Sequence, residues 1–291
     1  MRHLRWLGPL AALLVLTGCS LAQFAYNRLD VLARWELSDY VDLDPSQRAV
    51  FDREFRTLWA WHRQTELPLY VAALRTLAER QDPTDRAALE AVSAQYRERS
   101  QTLLRAAAPI ACTVGVLLSD AQVQTLLKAV DEDLAEYAET YVEPPEERQR
   151  KDTEREVRTQ LDRWFGDLSA AQRTLIRTWS AERQLSAEAW LTYRRSWRQS
   201  LAGVMAARKQ PEYCERVTTL IADGGTLWTP EQQTAFARNR TQWLDLFEQL
   251  GPTLTPAQRA HVKERMLALA EDFERLATEA PASNPAPSQT P

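Results

Sequence analysis

Leu250-Gly251-Pro252-Thr253-Leu254-Thr255-Pro256-Ala257-Gln258 is the stretch whose reading decides the fold. A glycine closes one helix, a short turn follows, and Thr255-Pro256-Ala257-Gln258 opens the next as a capping box. In such a box the Thr hydroxyl accepts from the N3 amide and the Gln side chain reaches back to the cap amide. Proline at N1 gives up an amide that has no helical partner anyway. Beyond the box, Val262, Met266, Leu269, Phe273 and Leu276 recur by threes and fours, the period of a packed helix. The same order of signals recurs upstream. Gly115 leads to Ser119-Asp120-Ala121-Gln122, Gly166 to Ser169-Ala170-Ala171-Gln172, and Gly225 to Thr229-Pro230-Glu231-Gln232. Asp44-Pro45-Ser46-Gln47 is a fifth copy without the glycine. Glycine before each start reads as the end of the preceding helix.

Between these starts lie further stripes of helical period: Val123, Leu127, Val130, Leu134, Tyr137 and Tyr141, then Trp190, Tyr193, Trp197, Leu201 and Val204. No segment alternates as a strand does. The expected fold is all-α, an elongated bundle of about eight to ten antiparallel helices occupying residues 19–280. Ser169 to Arg208 contains no proline and reads as a single helix of about 60 Å. Pro68 is expected to kink or split the helix opened at Pro45, with further breaks at Asp82-Pro83-Thr84 and Glu143-Pro144-Pro145-Glu146. The polar, proline-rich tail 281–291 reads as disordered. Gln47-Arg48 leads to Pro109 and Cys112 much as Gln172-Arg173 leads to Pro211 and Cys214, which suggests related halves at 40–142 and 145–280.

The N-terminus carries a second, independent message. Arg2, His3 and Arg5 give a positive start, and Leu7 to Leu16 form an apolar run too short to span a bilayer, so residues 1–18 read as a secretory leader. Leu16-Thr17-Gly18-Cys19 resembles the lipobox of bacterial lipoproteins, in which the cysteine sulfur takes a diacylglycerol and becomes the new N-terminus. That resemblance implies a membrane partner through covalent lipid at Cys19. Each buried methylene contributes about 0.8 kcal/mol, so two or three acyl chains hold firmly where one does not. Ser20, in place of Asp, implies by the sorting rule of enteric bacteria the outer membrane and a periplasm-facing body. Leu21, Phe24, Leu29, Leu32 and Trp35 suggest a helix beginning within a few residues of the lipid.

Two cysteines remain, Cys112 and Cys214. An even pair in an oxidising compartment reads as one disulfide, with two buried thiols as the alternative. The net charge is −4, with 36 Lys+Arg against 40 Asp+Glu, a poor balance for nucleic-acid binding.

Little in the chain points to catalysis. Beyond the leader only His62 and His261 could serve as an imidazole base, and both read as surface histidines on charged helices. There is no Gly-x-Ser-x-Gly elbow and no phosphate-cradling glycine loop. Cys112 and Cys214 lack metal-ligand spacing, so no metal and no cofactor is expected. Asp131, Glu132 and Asp133 read as a solvated helix face and not as a glycosidase pair. The chain holds 10 Trp, most of them on the apolar stripes. The alternative to a core role for them is an exposed aromatic-and-arginine interaction surface, for which Trp61, Arg63, Tyr193, Arg194 and Trp197 are the candidates.

Leu254-Thr255-Pro256-Ala257-Gln258 is similar to the Leu-Thr-x-x-Gln signature of Spy and CpxP-type periplasmic helical proteins, and Leu43-Asp44, Leu118-Ser119 and Leu168-Ser169 vary its cap. From Tyr26-Asn27-Arg28-Leu29 and Tyr40-Val41-Asp42-Leu43 onward, the chain resembles an uncharacterised, domain-of-unknown-function family of bacterial envelope lipoproteins. The expected function is a non-catalytic, lipid-anchored interaction protein of the outer membrane, bound to an unidentified envelope protein. A Spy-like holder of periplasmic clients is the first alternative, and a cell-wall hydrolase the second.

Overall fold

A computed structural model describes residues 26–278; Cys19 with its lipobox, and the tail 281–291, lie outside them. The described residues form an all-α protein with no strand and with antiparallel helix packing. The helices are α1 (Leu29–Ser38), α2 (Pro45–Trp61), α3 (Leu67–Ala78), α4 (Arg86–Gly115), α5 (Asp120–Tyr137), α6 (Glu146–Phe165), α7 (Ala170–Glu182), α8 (Ala187–Ala206), α9 (Tyr213–Ala222), α10 (Pro230–Leu250) and α11 (Pro256–Thr278). A π-helical turn, His62–Glu66, joins α2 and α3 into one continuous rod. The C-terminal α11 lies along α3, and α4 receives both α2 and α9.

All five capping boxes form. Asp44, Ser119, Ser169 and Thr229 each accept from the N3 amide while the N3 Gln side chain accepts from the cap amide. Thr255 and Gln258 exchange the same two bonds at 3.1 Å. Four of the five glutamines do more. Gln47 and Gln122 hydrogen-bond to each other, and each amide also donates to the backbone ahead of the other helix, at Leu117 O and Asp42 O. Gln172 and Gln258 repeat the arrangement, at 3.0 Å in both directions, with Thr253 O and Asp167 O as the backbone acceptors. Each carboxamide thus fills both its donor sites and accepts two bonds, which allows a buried amide pair to cost little. Gln232, in the fifth box, finds only the Ala189 carbonyl.

The apolar core gathers around these clasps. One cluster joins Val41, Phe51, Val114, Leu118, Val123 and Leu127 to Val204, Tyr213, Val217 and Leu220, beside the Gln47–Gln122 pair. A second joins Leu161, Phe165, Leu168, Ile176, Leu246, Leu250, Leu254 and Val262, beside Gln172–Gln258. A third and smaller cluster, Tyr26, Leu29, Leu67 and Leu276, brings the two ends of the described chain together.

Two expectations are corrected. Pro68 does not split the helix: the wide π turn, in which the Leu67 amide reaches back to His62 O, carries the rod past it. Ser169 to Arg208 is not one helix. The backbone turns extended at Arg183, whose carbonyl, with that of Ser180, accepts from the Arg150 guanidinium of α6. Helices end at Gly115, Gly166 and Gly251 as expected, and among the described glycines only Gly166 has a positive φ, 76°. Gly115 is helical and serves a different need, since a Cβ there would stand 1.9 Å from the Tyr213 hydroxyl.

Candidate functional site

The π turn puts the most unusual chemistry of the molecule in one place. An extra residue in the turn rotates Trp61-His62-Arg63-Gln64-Thr65-Glu66 so that His62, Arg63 and Glu66 all face inward. The His62 ring stacks on Trp59 with centroids 5.0 Å apart, and its Nδ1 shares a 2.8 Å hydrogen bond with the Tyr26 hydroxyl. Burial, and then the neighbouring Arg63 guanidinium, push the imidazole pKa down to about 4, so the ring is neutral at pH 7. Arg63 is only 4% exposed; its Nη1 donates to Leu276 O at 2.9 Å and its Nη2 to the Asn27 side chain. Its guanidinium also lies over the Tyr26 ring, 5.0 Å from the centroid. Glu66, 0% exposed, faces the Arg99 guanidinium of α4 at 3.6 Å. Burial, then the charge of Glu66, raise the pKa of the adjacent Tyr70 to about 12.

Two expectations fail here. His62 is a buried histidine, and Arg63 is not part of an exposed interaction surface. What this group of side chains does is fasten. One guanidinium ties the first described residues, the end of α11 and the α2–α3 rod into a unit. His261, the other histidine, is half-buried and is no free surface ring either; its Nε2 lies 3.2 Å from Arg163 O.

The other candidate surface stands on α8. Tyr193 packs in an aromatic group with Trp190 and Trp228, at centroid separations of 5.1 and 5.5 Å, and Trp228 meets Phe236 at 4.4 Å. The Trp197 indole donates to Leu220 O at 3.2 Å, and Arg194 covers the Tyr137 ring at 4.9 Å. Each therefore has a partner outside α8, Tyr193 in the turn before α10, Arg194 on α5 and Trp197 on α9. Trp61, like these three, is half-buried. Trp197 packs on the first cluster and Trp61 adjoins His62 near the third, so the candidate residues form no single surface. No described Trp is fully buried, and only Trp35, 68% exposed, stands fully in solvent. Its exposure on α1 was not legible, because the stripe Leu29, Leu32, Trp35 has the same spacing as a core stripe.

Cys112 and Cys214 form a disulfide that joins α4 to α9, with Cα atoms 5.1 Å apart. Among the described residues no group of three or more His, Cys, Asp or Glu side chains is placed to hold a metal ion, and no helix is long and apolar enough to cross a membrane. The only comparison to find a relationship is the model of a family of unknown function, DUF6279, which matches residues 39–233. No curated protein and no solved structure matches the chain.

Proposed function

Because the chain belongs to DUF6279, a family of unknown function, its activity has to be read from its own residues, and we propose a non-catalytic interaction protein, lipid-anchored at Cys19 in the bacterial outer membrane and facing the periplasm. The observation that carries this reading is the position of Leu16-Thr17-Gly18-Cys19 relative to the fastened N-terminus. Only residues 20–25 separate the acylated cysteine from Tyr26, which His62 and Arg63 hold against the rod. The body then meets its partner close to the bilayer, because seven residue steps from Cys19 to Tyr26 span at most about 25 Å. Long helices, cross-linked by paired capping boxes and a disulfide, suit a rigid docking partner better than a catalyst that must close on a substrate.

A Spy-like holder of unfolded clients is the second reading, and the Leu-Thr-x-x-Gln boxes favour it. Such a holder needs a continuous apolar face. The exposed large hydrophobic residues among those described are Leu32, Trp35, Leu69, Tyr96, Leu117 and Tyr141, and only Leu32 and Trp35 share a helix face. That scatter favours one defined partner over many unfolded ones.

Anchoring is tested by replacing Cys19 with Ala and fractionating the cell. The wild type is expected in the outer-membrane fraction and the variant away from it, as an uncleaved inner-membrane form or a released one. An unchanged outer-membrane yield of Cys19→Ala would refute lipid anchoring.

A further inference from the structure

We propose that the outward face of α1, formed by Leu32 and Trp35, rests in the headgroup region of the same bilayer that holds the lipid, giving the body a second point of contact. This rests on acylation of Cys19. On α1 the inner face is Leu29, Ala33 and Leu37, which pack on the core. Leu32 and Trp35 lie at i and i+3 away from that inner face, both exposed, at 38% and 68%.

The length of chain before α1 identifies the occupant. From Cys19 to Tyr26 there are seven residue steps, a span of at most about 25 Å fully extended. Tyr26 cannot yield more slack, because its hydroxyl is bonded to His62 and the next residue, Asn27, to Arg63. A bilayer surface is therefore always within reach of the first turns of α1. The residue types on that side match it. An indole prefers the depth where lipid headgroups meet acyl chains, and an exposed leucine gains by entering the acyl boundary. Two side chains are too few to attach a protein, so their role is to set its orientation on a surface the lipid has already reached.

The test uses the full-length acylated protein in phosphatidylethanolamine–phosphatidylglycerol vesicles, with and without brominated acyl chains that quench nearby tryptophan. The wild type should lose a fraction of its emission to the bromines that Trp35→Phe does not lose. Trp35 is exposed and makes no core contact, so the variant is expected to fold. Equal quenching of the two proteins on vesicles would overturn the proposal. So would a wild-type dimer that Trp35→Phe dissociates without any change in quenching, since a second copy would then cover the face. Intact mass separates the two levels of failure. Acylated protein with unquenched Trp35 sinks the membrane seat alone, whereas unmodified Cys19 overturns the anchor and this inference with it.

Discussion

His62 makes stability pH-dependent in a direction set by its burial. Its folded pKa of about 4 lies below the ordinary histidine value near 6.5. Below pH 6.5 the unfolded chain takes up a proton that the folded chain refuses until about pH 4, so stability falls across that window and is unaffected above it. At about 1.4 kcal/mol per pH unit, the loss reaches about 3 kcal/mol at pH 4. Urea unfolding of wild type and His62→Gln between pH 4 and 8 should give curves that converge as the pH drops. Parallel curves would show that His62 does not titrate this way. Gly115 poses a steric question at the same scale. Ala at this position drives its Cβ into the Tyr213 hydroxyl, which stands at the end of a rigid ring, and should cost about 1–3 kcal/mol. Adding Tyr213→Phe should recover part of that cost in thermal unfolding, because the clashing oxygen is gone. Gly115→Ala as stable as wild type would contradict the packing described here.

At the scale of elements, the paired capping boxes hold the helices in register. Gln172 is 0% exposed, and truncation to Ala would strip the Ser169 amide, the Thr253 carbonyl and the Gln258 side chain of a partner at once. The expected cost is about 2–4 kcal/mol, against about 1 kcal/mol for Gln232→Ala, whose box stands alone. A double-mutant cycle on Gln172 and Gln258 should return a coupling energy above about 0.5 kcal/mol, and one on Gln172 and Gln232 none. Additive effects in the first cycle would mean the clasp contributes nothing beyond two separate caps. The boxes themselves were legible, because Ser/Thr/Asp-x-x-Gln after a turn is a local signal with a local mechanism. Their pairing was not, since reciprocal bonds between Gln47 and Gln122 depend on which helix ends meet in space. The π turn was half legible. Pro68 announced that the helix must adjust, but a break and a bulge use the same sequence signal.

For the whole molecule, helical periodicity was enough to give the all-α class, because every stripe has one period and no segment competes for strand. The disulfide was legible from the two cysteines that remain once Cys19 is set aside. It closes a loop across 102 residues, worth about 4–5 kcal/mol in the chain-entropy model. Cys112→Ser with Cys214→Ser should lower the unfolding free energy by about that amount, and alkylation of unreduced wild type should leave its intact mass unchanged at both positions. Uptake of two alkyl groups would exclude the bridge. The buried fastening at Arg63 was not legible, because Trp61-His62-Arg63 on a charged helix has the composition of a solvated face, and only the π turn directs it inward. We propose a rigid, lipid-anchored body that holds one envelope partner. In-cell crosslinking of the tagged, acylated protein, followed by mass spectrometry of what is captured, tests it most directly. One dominant partner at near-constant stoichiometry is the predicted result. A broad set of unrelated periplasmic proteins that grows under unfolding stress would contradict it and establish the client holder instead.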